Sequence, residues 1–501
     1  MRRVIDLQVA TALNTRVSGT NPLPASSGVV GVGIVGIMVV GQSVDPTTKD
    51  ARYVNVFKRT VDKQIYAVKR SGVSSHVTTT ANTVGVGILI WSGQGSGTKF
   101  ITAFGATSSF IYDSGALLPT NGTVTTNIGT KCTGITETKI GTAPTLAITG
   151  ANNSGWWYQN AGTISSIASG GWPGNAASTL AGTMAHLDGY AFQMATGGGI
   201  SNSALNTIST WPASGVISAT IQPDAGVGCI RWKQYIIGFG TESMEFFYNA
   251  GNATGSPLTR LAHMAQKIGA VAADAITQLA DTIFWCGSTS QGGLSVFQWD
   301  GNVTRISPPE IDTVLILAGA SNIKLTAKRD FGMSFIEIKA GSAVYGYCIE
   351  EKFWFPIVSS LGFVRYAGLS TGSSQVVYGV SELVTTGKVY VINPSARTYL
   401  DDGQPFSARL QLPTIDPYKG EFCSYEEAQV LADVEASTSV MDLVWTDDDY
   451  MTYSNPRPLD LSENVPKTTR LGGTKNPRAF AMSHSANTPM RVKALRLRVK
   501  G

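Results

Sequence analysis

The chain has 501 residues with a formal net charge of +4, too dilute a charge to imply a nucleic-acid surface by itself, so it leaves the partner open. Charged residues make up 14% of it against about 25% in an average globular protein, and with 55 glycines this suits a large all-β protein with a sizeable core and room for two or three domains. The five cysteines, Cys132, Cys229, Cys286, Cys348 and Cys423, are odd in number, far apart and without CxxC or metal-ligand spacing, so they read as reduced, buried small hydrophobes, and no cofactor or metal is expected.

Residues 1–50, with Pro22, Pro24 and Pro46, read as an N-terminal extension or arm. Inside it, residues 28–41 carry Val29-Val30, Ile34-Val35 and Ile37-Met38-Val39-Val40. That apolar run is far shorter than the roughly 20 residues a bilayer crossing needs, and its glycines weaken a helix, so a buried strand or packed extension is expected and no membrane span. Strands begin with Tyr53-Val54-Asn55-Val56-Phe57 and Gln64-Ile65-Tyr66-Ala67-Val68, separated by a charged turn. Residues 84–91, 99–104 and 109–112 continue the pattern, followed by a Thr- and Gly-rich stretch at 119–150. Trp156-Trp157-Tyr158 and Gly189-Tyr190-Ala191-Phe192-Gln193 add two aromatic strands. Residues 197–228, dominated by Ser, Asn, Gly and Pro, read as a long loop inserted into this series.

From residue 235 a pattern repeats. An apolar run at 235–240 precedes Phe246-Phe247-Tyr248-Asn249-Ala250-Gly251-Asn252, and a second at 282–287 precedes Val296-Phe297-Gln298-Trp299-Asp300-Gly301-Asn302. Tyr345-Gly346-Tyr347-Cys348-Ile349 and Val389-Tyr390-Val391-Ile392-Asn393 continue the series. A period of about 40 to 50 residues built from hairpins suggests the blades of a β-propeller, here six or seven of them across residues 51–400. The Ala-rich segment 269–279 is a helix candidate between blades. A turn-rich boundary near Asp401-Asp402-Gly403 opens a C-terminal β module, residues 401–501, where strands at 406–412, 428–434, 441–445 and 490–499 suggest a small β-sandwich, or a final blade with appended strands.

Enzyme signatures are mostly absent: the sequence holds no GxxxxGK[ST] or HExxH, and His76, His186, His263 and His484 are scattered. Thr446-Asp447-Asp448-Asp449-Tyr450-Met451-Thr452-Tyr453 is similar to an Asp-box, the hairpin turn of sialidase-type propellers, with Tyr450 in place of its Gly. Thr446, Asp447, Asp449 and Thr452 read as a structural turn in which a carboxylate accepts backbone N–H bonds; a calcium ion on the three carboxylates is the weaker reading. In the last strand, alternation places Arg496, Arg498 and Lys500 on one side and Leu495, Leu497 and Val499 on the other. Those three basic residues read either as the solvated face of a charge-protected edge strand or as phosphate-facing groups that a ring of copies would multiply.

Thr241-Glu242-Ser243-Met244-Glu245-Phe246-Phe247-Tyr248-Asn249-Ala250-Gly251-Asn252, followed by Ser256-Pro257-Leu258-Thr259-Arg260, Gln266-Lys267-Ile268-Gly269, Asp281-Thr282-Ile283-Phe284-Trp285 and Arg305-Ile306-Ser307, resembles the packaged-DNA stabilisation proteins, also called tail hub or nozzle proteins, of short-tailed bacteriophages. The resemblance is clearest over residues 186–315, with a second patch at 441–499. It implies a structural virion protein of the tail, assembled in the host cytoplasm and without catalysis. Six copies would form a ring below the portal and its adaptor, extend the DNA channel, retain the packaged genome until ejection and offer docking surfaces to a tail needle, tip or fibres. The competing reading is a carbohydrate-active propeller, sialidase-like or a tail depolymerase, which needs convergent carboxylates on one rim. A cellular scaffold propeller would carry WD or kelch signatures, which the chain lacks.

Overall fold

A computed structural model describes residues 2–8, 52–78, 83–91, 99–104, 108–113, 132–140, 143–150, 153–158, 165–175, 179–288, 292–366 and 376–501. The apolar run at 28–41 and residues 119–131 and 141–142 of the Thr-rich stretch lie outside these residues; the rest of that stretch is described as strands Cys132–Ile140 and Ala143–Gly150. Strands dominate, and the contacts divide the chain into two units: a propeller unit of residues 73–345 and 361–397, and a sandwich unit of residues 1–72, 346–360 and 398–501.

The described residues of the propeller unit form the seven blades of a β-propeller. Blade 1 is Gly85–Trp91, Lys99–Phe104 and Ser108–Asp113; blade 2 is Cys132–Ile140, Ala143–Gly150, Gly155–Tyr158 and Ser165–Ser166. Blade 3 is Leu180–Leu187, Tyr190–Ala195, Gly199–Asn202 and Val216–Ser218; blade 4 is Gly226–Trp232, Tyr235–Gly240, Met244–Asn249 and Leu258–Arg260. Blade 5 is Ile276–Leu279, Thr282–Ser288, Leu294–Trp299 and Val303–Arg305. Blade 6 begins with Ile323–Asp330, Met333–Ala340 and Ala343–Cys348, while the next strand, Phe353–Ile357, is grouped with the sandwich unit. Blade 7 is Val364–Tyr366, Val377–Ser381 and Lys388–Ile392, completed on its outer edge by Ser74–Thr78 from the start of the unit. Borrowing the first strand of the unit to finish the last sheet fastens the ring at its seam.

Aromatic and β-branched positions fill the space between blades. Blades 4 and 5 meet through Trp232 and Trp299, with ring centroids 5.5 Å apart, and Phe246 and Trp299, 4.9 Å apart, over a core that includes Phe239, Met244, Ile283 and Trp285. The Trp232 indole also donates to the Asp281 carbonyl at 2.7 Å. Blades 7 and 1 meet where Ile88 packs on Tyr378, Val380 and Val389. The repeat at 235–252 and 282–302 is thus the second and third strands of blades 4 and 5, as the period predicted.

Two expectations within the propeller are corrected. Residues 197–228 are not an insertion, because Gly199–Asn202 and Val216–Ser218 pair as the outer strands of blade 3. Residues 269–279 form no α-helix; they hold a 3-10 turn, Ala273–Ala275, and the first strand of blade 5. Tertiary packing overrides the alanines, since Gly269 lies so close to Thr241 that a Cβ there would come within 2.2 Å of its carbonyl carbon. The α-helix among the described residues is Pro309–Ala318, begun by Pro309 at its first turn with Glu310 and Asp312, and ended by Gly319 at φ 76°.

The sandwich unit stacks two sheets. One orders Val56–Val61, Gln64–Lys69, Arg491–Lys500, Cys423–Ala432 and Lys467–Thr469, with Arg2–Gln8 added on Arg491–Lys500 and Gly473–Thr474 on Cys423–Ala432. The other orders Arg52–Val54, Ala408–Gln411, Ala479–His484, Val440–Thr446 and Arg457–Asp460. Tyr425 and Phe480 meet edge-on between them at 5.7 Å. The strands at 52–69 therefore belong to this module and not to the propeller, and the division at residue 400 expected from the sequence gives way to a unit built from three stretches. Asn55 joins the three, in a left-handed conformation at φ 57°. Its amide donates to the carbonyls of Val358 at 2.9 Å and Ser407 at 2.8 Å, and its oxygen accepts from Val358 N and Arg70 Nε.

Candidate functional site

The first strand of each blade faces the axis of the propeller, so these strands line its central passage. Two openings that share Thr183, Ile230 and Gln278 are bounded by them. One, of 370 Å3, is lined from blades 1, 3, 4, 5, 6 and 7 by residues including Ile88, Thr183, Ile230, Thr277, Thr326 and Arg365. The other, of 570 Å3, is lined by Thr136, Glu137, Thr138, Thr183, His186, Arg231 and Gln278 among others.

Thr, Ile and Ala recur in the lining, β-formers and small residues suited to the edge strand of each blade. Its acids are Glu137 and Asp274. Asp274 accepts from Arg365 Nη2 at 2.8 Å, and Arg365 also holds Glu382 through Nε. Lys324 and Lys339 approach Glu382 at 3.0 and 3.2 Å. Burial alone would raise the Glu382 carboxyl, but Arg365 and Lys324 more than reverse it and hold it below the usual carboxylate range. Burial works against the Arg365 charge too, and Asp274 and Glu382 overcome it. Deeper in, desolvation of Lys328 is outweighed by Glu337, and its ammonium also lies 4.3 Å over the Tyr366 ring. These groups tie blades 5, 6 and 7 together; Asp274, Glu337 and Glu382 are each paired with a cation, which suits mechanical cross-bracing.

In the sandwich unit the sequence-predicted residues separate by task. Thr446 and Thr452 do close one turn, but its acid is Asp448: Oδ1 accepts from the N–H groups of Met451 at 3.1 Å and Thr452 at 2.9 Å and from the Thr446 hydroxyl at 2.7 Å, and Oδ2 accepts from the Thr452 hydroxyl. The Thr452 bonds, with Thr446, pull its carboxyl down to about 2. Asp447 points elsewhere and takes Arg478 in a two-pronged pair, Nε–Oδ1 2.6 Å and Nη2–Oδ2 2.7 Å. Asp449 and Tyr450 sit at the tip at φ 57° and 67°. The motif's own spacing from Thr446 pointed to Asp448, so this signal was available in the sequence. The carboxylates of Asp447 and Asp448 are each engaged by the protein itself.

Arg496, Arg498 and Lys500 share a face as predicted, with Leu495, Leu497 and Val499 buried behind them. The strand is not an edge, however: Cys423–Ala432 bonds it on one side and Arg2–Gln8 with Gln64–Lys69 on the other. Arg498 and Lys500 are exposed and Arg496 half-buried, and Arg498 lies 3.9 Å from Glu427. What the sequence did not reveal is the buried polar core beside this sheet. Lys69 Nζ donates to the Ala486 carbonyl at 2.8 Å and stands 3.4 Å from His484 Nδ1, whose Nε2 meets the Ser439 hydroxyl at 2.9 Å. Burial, then the Arg70 charge, lowers Lys69 to about 8, and burial, then Lys69, lowers His484 to about 4.

Residues 66–371 match the phage stabilisation family described as bacteriophage P22 Gp10, beta-propeller. No curated protein matches the chain. Among solved structures, YCF48 from Cyanidioschyzon merolae is similar at 11% identity over 65% of this chain and 100% of its own, with a TM-score of 0.41. The extracellular domain of the hybrid two component system BT4673 from B. thetaiotaomicron shows 10% identity over 74% and 44%, TM-score 0.40. Chaetomium thermophilum Raptor shows 10% identity and TM-score 0.38; this chain is covered over 64% but spans only 30% of Raptor. Likeness this distant carries no functional information.

Proposed function

The chain belongs to the phage packaged-DNA stabilisation family, a family of structural virion proteins, and on that premise we propose that it is a tail hub or nozzle protein whose copies ring the DNA path. Six copies assemble below the portal and its adaptor, continue the channel, retain the packaged genome until ejection and carry a tail needle, tip or fibres. The observation that carries this reading is the family match, which runs through nearly the whole propeller. On this reading the DNA path lies on the axis of the ring, between copies, and not inside a single propeller. A closed, cross-braced propeller is a stiff block for such a ring, and heterologous contacts that close by rotation permit it. Arg496, Arg498 and Lys500 are offered as phosphate-facing groups of that ring; a row repeated six times would make retention salt-sensitive.

The test is genome retention. Particles assembled without this chain are expected to package DNA and then lose it to added nuclease, and supplying the purified chain before nuclease restores protection. Particles that keep their DNA without it would remove the proposed role. Cleavage of a host-surface glycan by the purified chain, abolished by one Asp or Glu substitution, would move the reading to a carbohydrate-active propeller.

A further inference from the structure

We propose that strand Arg2–Gln8 is exchanged between neighbouring copies, each chain completing the sandwich sheet of the next; this rests on the ring proposed above. The strand pairs along its whole length with one partner, antiparallel, in a register running from Arg2 opposite Lys500 to Gln8 opposite Ala494 without a shift. Among the described residues no strand bonds its outer edge. Every strand pairing it makes is thus contained in a single ladder, which the same strand of a second copy reproduces pair for pair.

The connection back to its own chain is the second observation. Residues 9–51 separate it from Arg52–Val54, a strand of the opposite sheet of the same unit. Stacked sheets lie about 10 Å apart and a seven-residue strand is about 23 Å long, a path that some ten residues cover. Joining the two strands within one chain therefore uses about a quarter of the residues present, and connections longer than about 15 residues are uncommon in compact units unless they serve a purpose. Fully extended, the same residues reach about 140 Å at most, ample for a neighbouring protomer in a ring. The acceptor is also prepared: Arg491–Lys500 is held on its other side by Cys423–Ala432 over nearly its full length, so it keeps its shape with or without the added strand. Exchange would give the ring an interface of seven backbone pairs per contact and tie each copy to the next.

Antiparallel Cα partners lie about 4.5–5.5 Å apart, within the separation a disulfide spans, so the register supplies the assay. One population carries Val4→Cys and a second carries Arg498→Cys; Val4 and Arg498 are direct partners. The two are mixed during assembly on the portal and adaptor, oxidised and separated by mass under denaturing conditions, with the unsubstituted chain as control and the Asp6→Cys and Arg496→Cys pair as a second register position. The expected result is a covalent species of two chain masses in the mixture and, for the Val4→Cys/Arg498→Cys double variant, a ladder extending to the full ring. An assembled ring whose double variant closes only within single chains overturns the exchange and leaves the ring standing. A chain that stays monomeric beside its partners overturns both.

Discussion

Removing the Asp401 carboxylate should selectively melt the sandwich unit. Asp401 accepts both guanidinium prongs of Arg70, Nη1–Oδ1 3.0 Å and Nη2–Oδ2 2.6 Å, and the Ser359 hydroxyl at 2.6 Å. The side chains are 9% and 2% exposed. Arg70 lies 3.8 Å over the Phe406 ring and donates through Nε to Asn55, so one knot gathers all three chain stretches of the unit. Asp401→Ala leaves a buried guanidinium without its counter-charge, which costs about 3–5 kcal/mol. At ~2–4 °C per kcal/mol for a unit of this size, its melting transition falls by about 6–20 °C. Calorimetry with near-UV circular dichroism reads this. The double change Arg70→Met with Asp401→Leu should lose less than Asp401→Ala alone, because it leaves no orphaned charge. A fall below about 2 °C for Asp401→Ala, or a double variant worse than the single, would refute the reasoning.

Acid sensitivity should trace to His484, which is 1% exposed and lowered to about 4. The unfolded chain takes up that proton near pH 6.5, so its contribution is intact above pH 6.5 and is lost as pH falls toward 4, by up to about 3 kcal/mol; His484→Gln should flatten the melting temperature over that window. Gly72→Ala places a Cβ 2.0 Å from the Leu400 carbonyl oxygen, and a lower urea midpoint, by about 1–3 kcal/mol of overpacking, is expected. Val77→Pro, in the strand that fastens blade 7 opposite Val389, should make the propeller unit cut faster in limited proteolysis, since it removes a ladder donor. Asp447→Ala should destabilise the sandwich unit more than Asp448→Ala, because Arg478, with a side chain 2% exposed, loses its partner; Asp448→Ala should appear as faster hydrogen exchange at residues 450–452.

The propeller was legible where a blade repeats its own chemistry. Tyr235–Gly240 and Met244–Asn249 are apolar runs that carry aromatic residues, and the same character recurs in Thr282–Ser288 and Leu294–Trp299, because each must fill the gap to the next blade. Blade 3 escaped notice because Gly199–Asn202 and Val216–Ser218 are short and polar, and their strand character comes from the ladder they join. The sandwich unit was half legible. Alternation placed Arg498 and Lys500 outward and Leu495, Leu497 and Val499 inward, yet nothing local in Val56–Val61 or Phe353–Ile357 announces partners hundreds of residues away; Asn55 is recognisable as a junction only once its partners are in place. The helix Pro309–Ala318 did announce itself, through Pro309, the acids of its first turn and Gly319, signals outweighed by the surrounding β rhythm. Asp448 shows the reverse case, a motif whose spacing was readable and whose neighbouring carboxylates obscured it.

Imaging of intact particles tests the central claim most directly. The account predicts a sixfold ring of this chain on the tail axis immediately below the portal and adaptor, with propellers surrounding a duplex-wide channel and no density for DNA inside any single propeller. Density for this chain off the axis, as a peripheral spike without a channel, would contradict it.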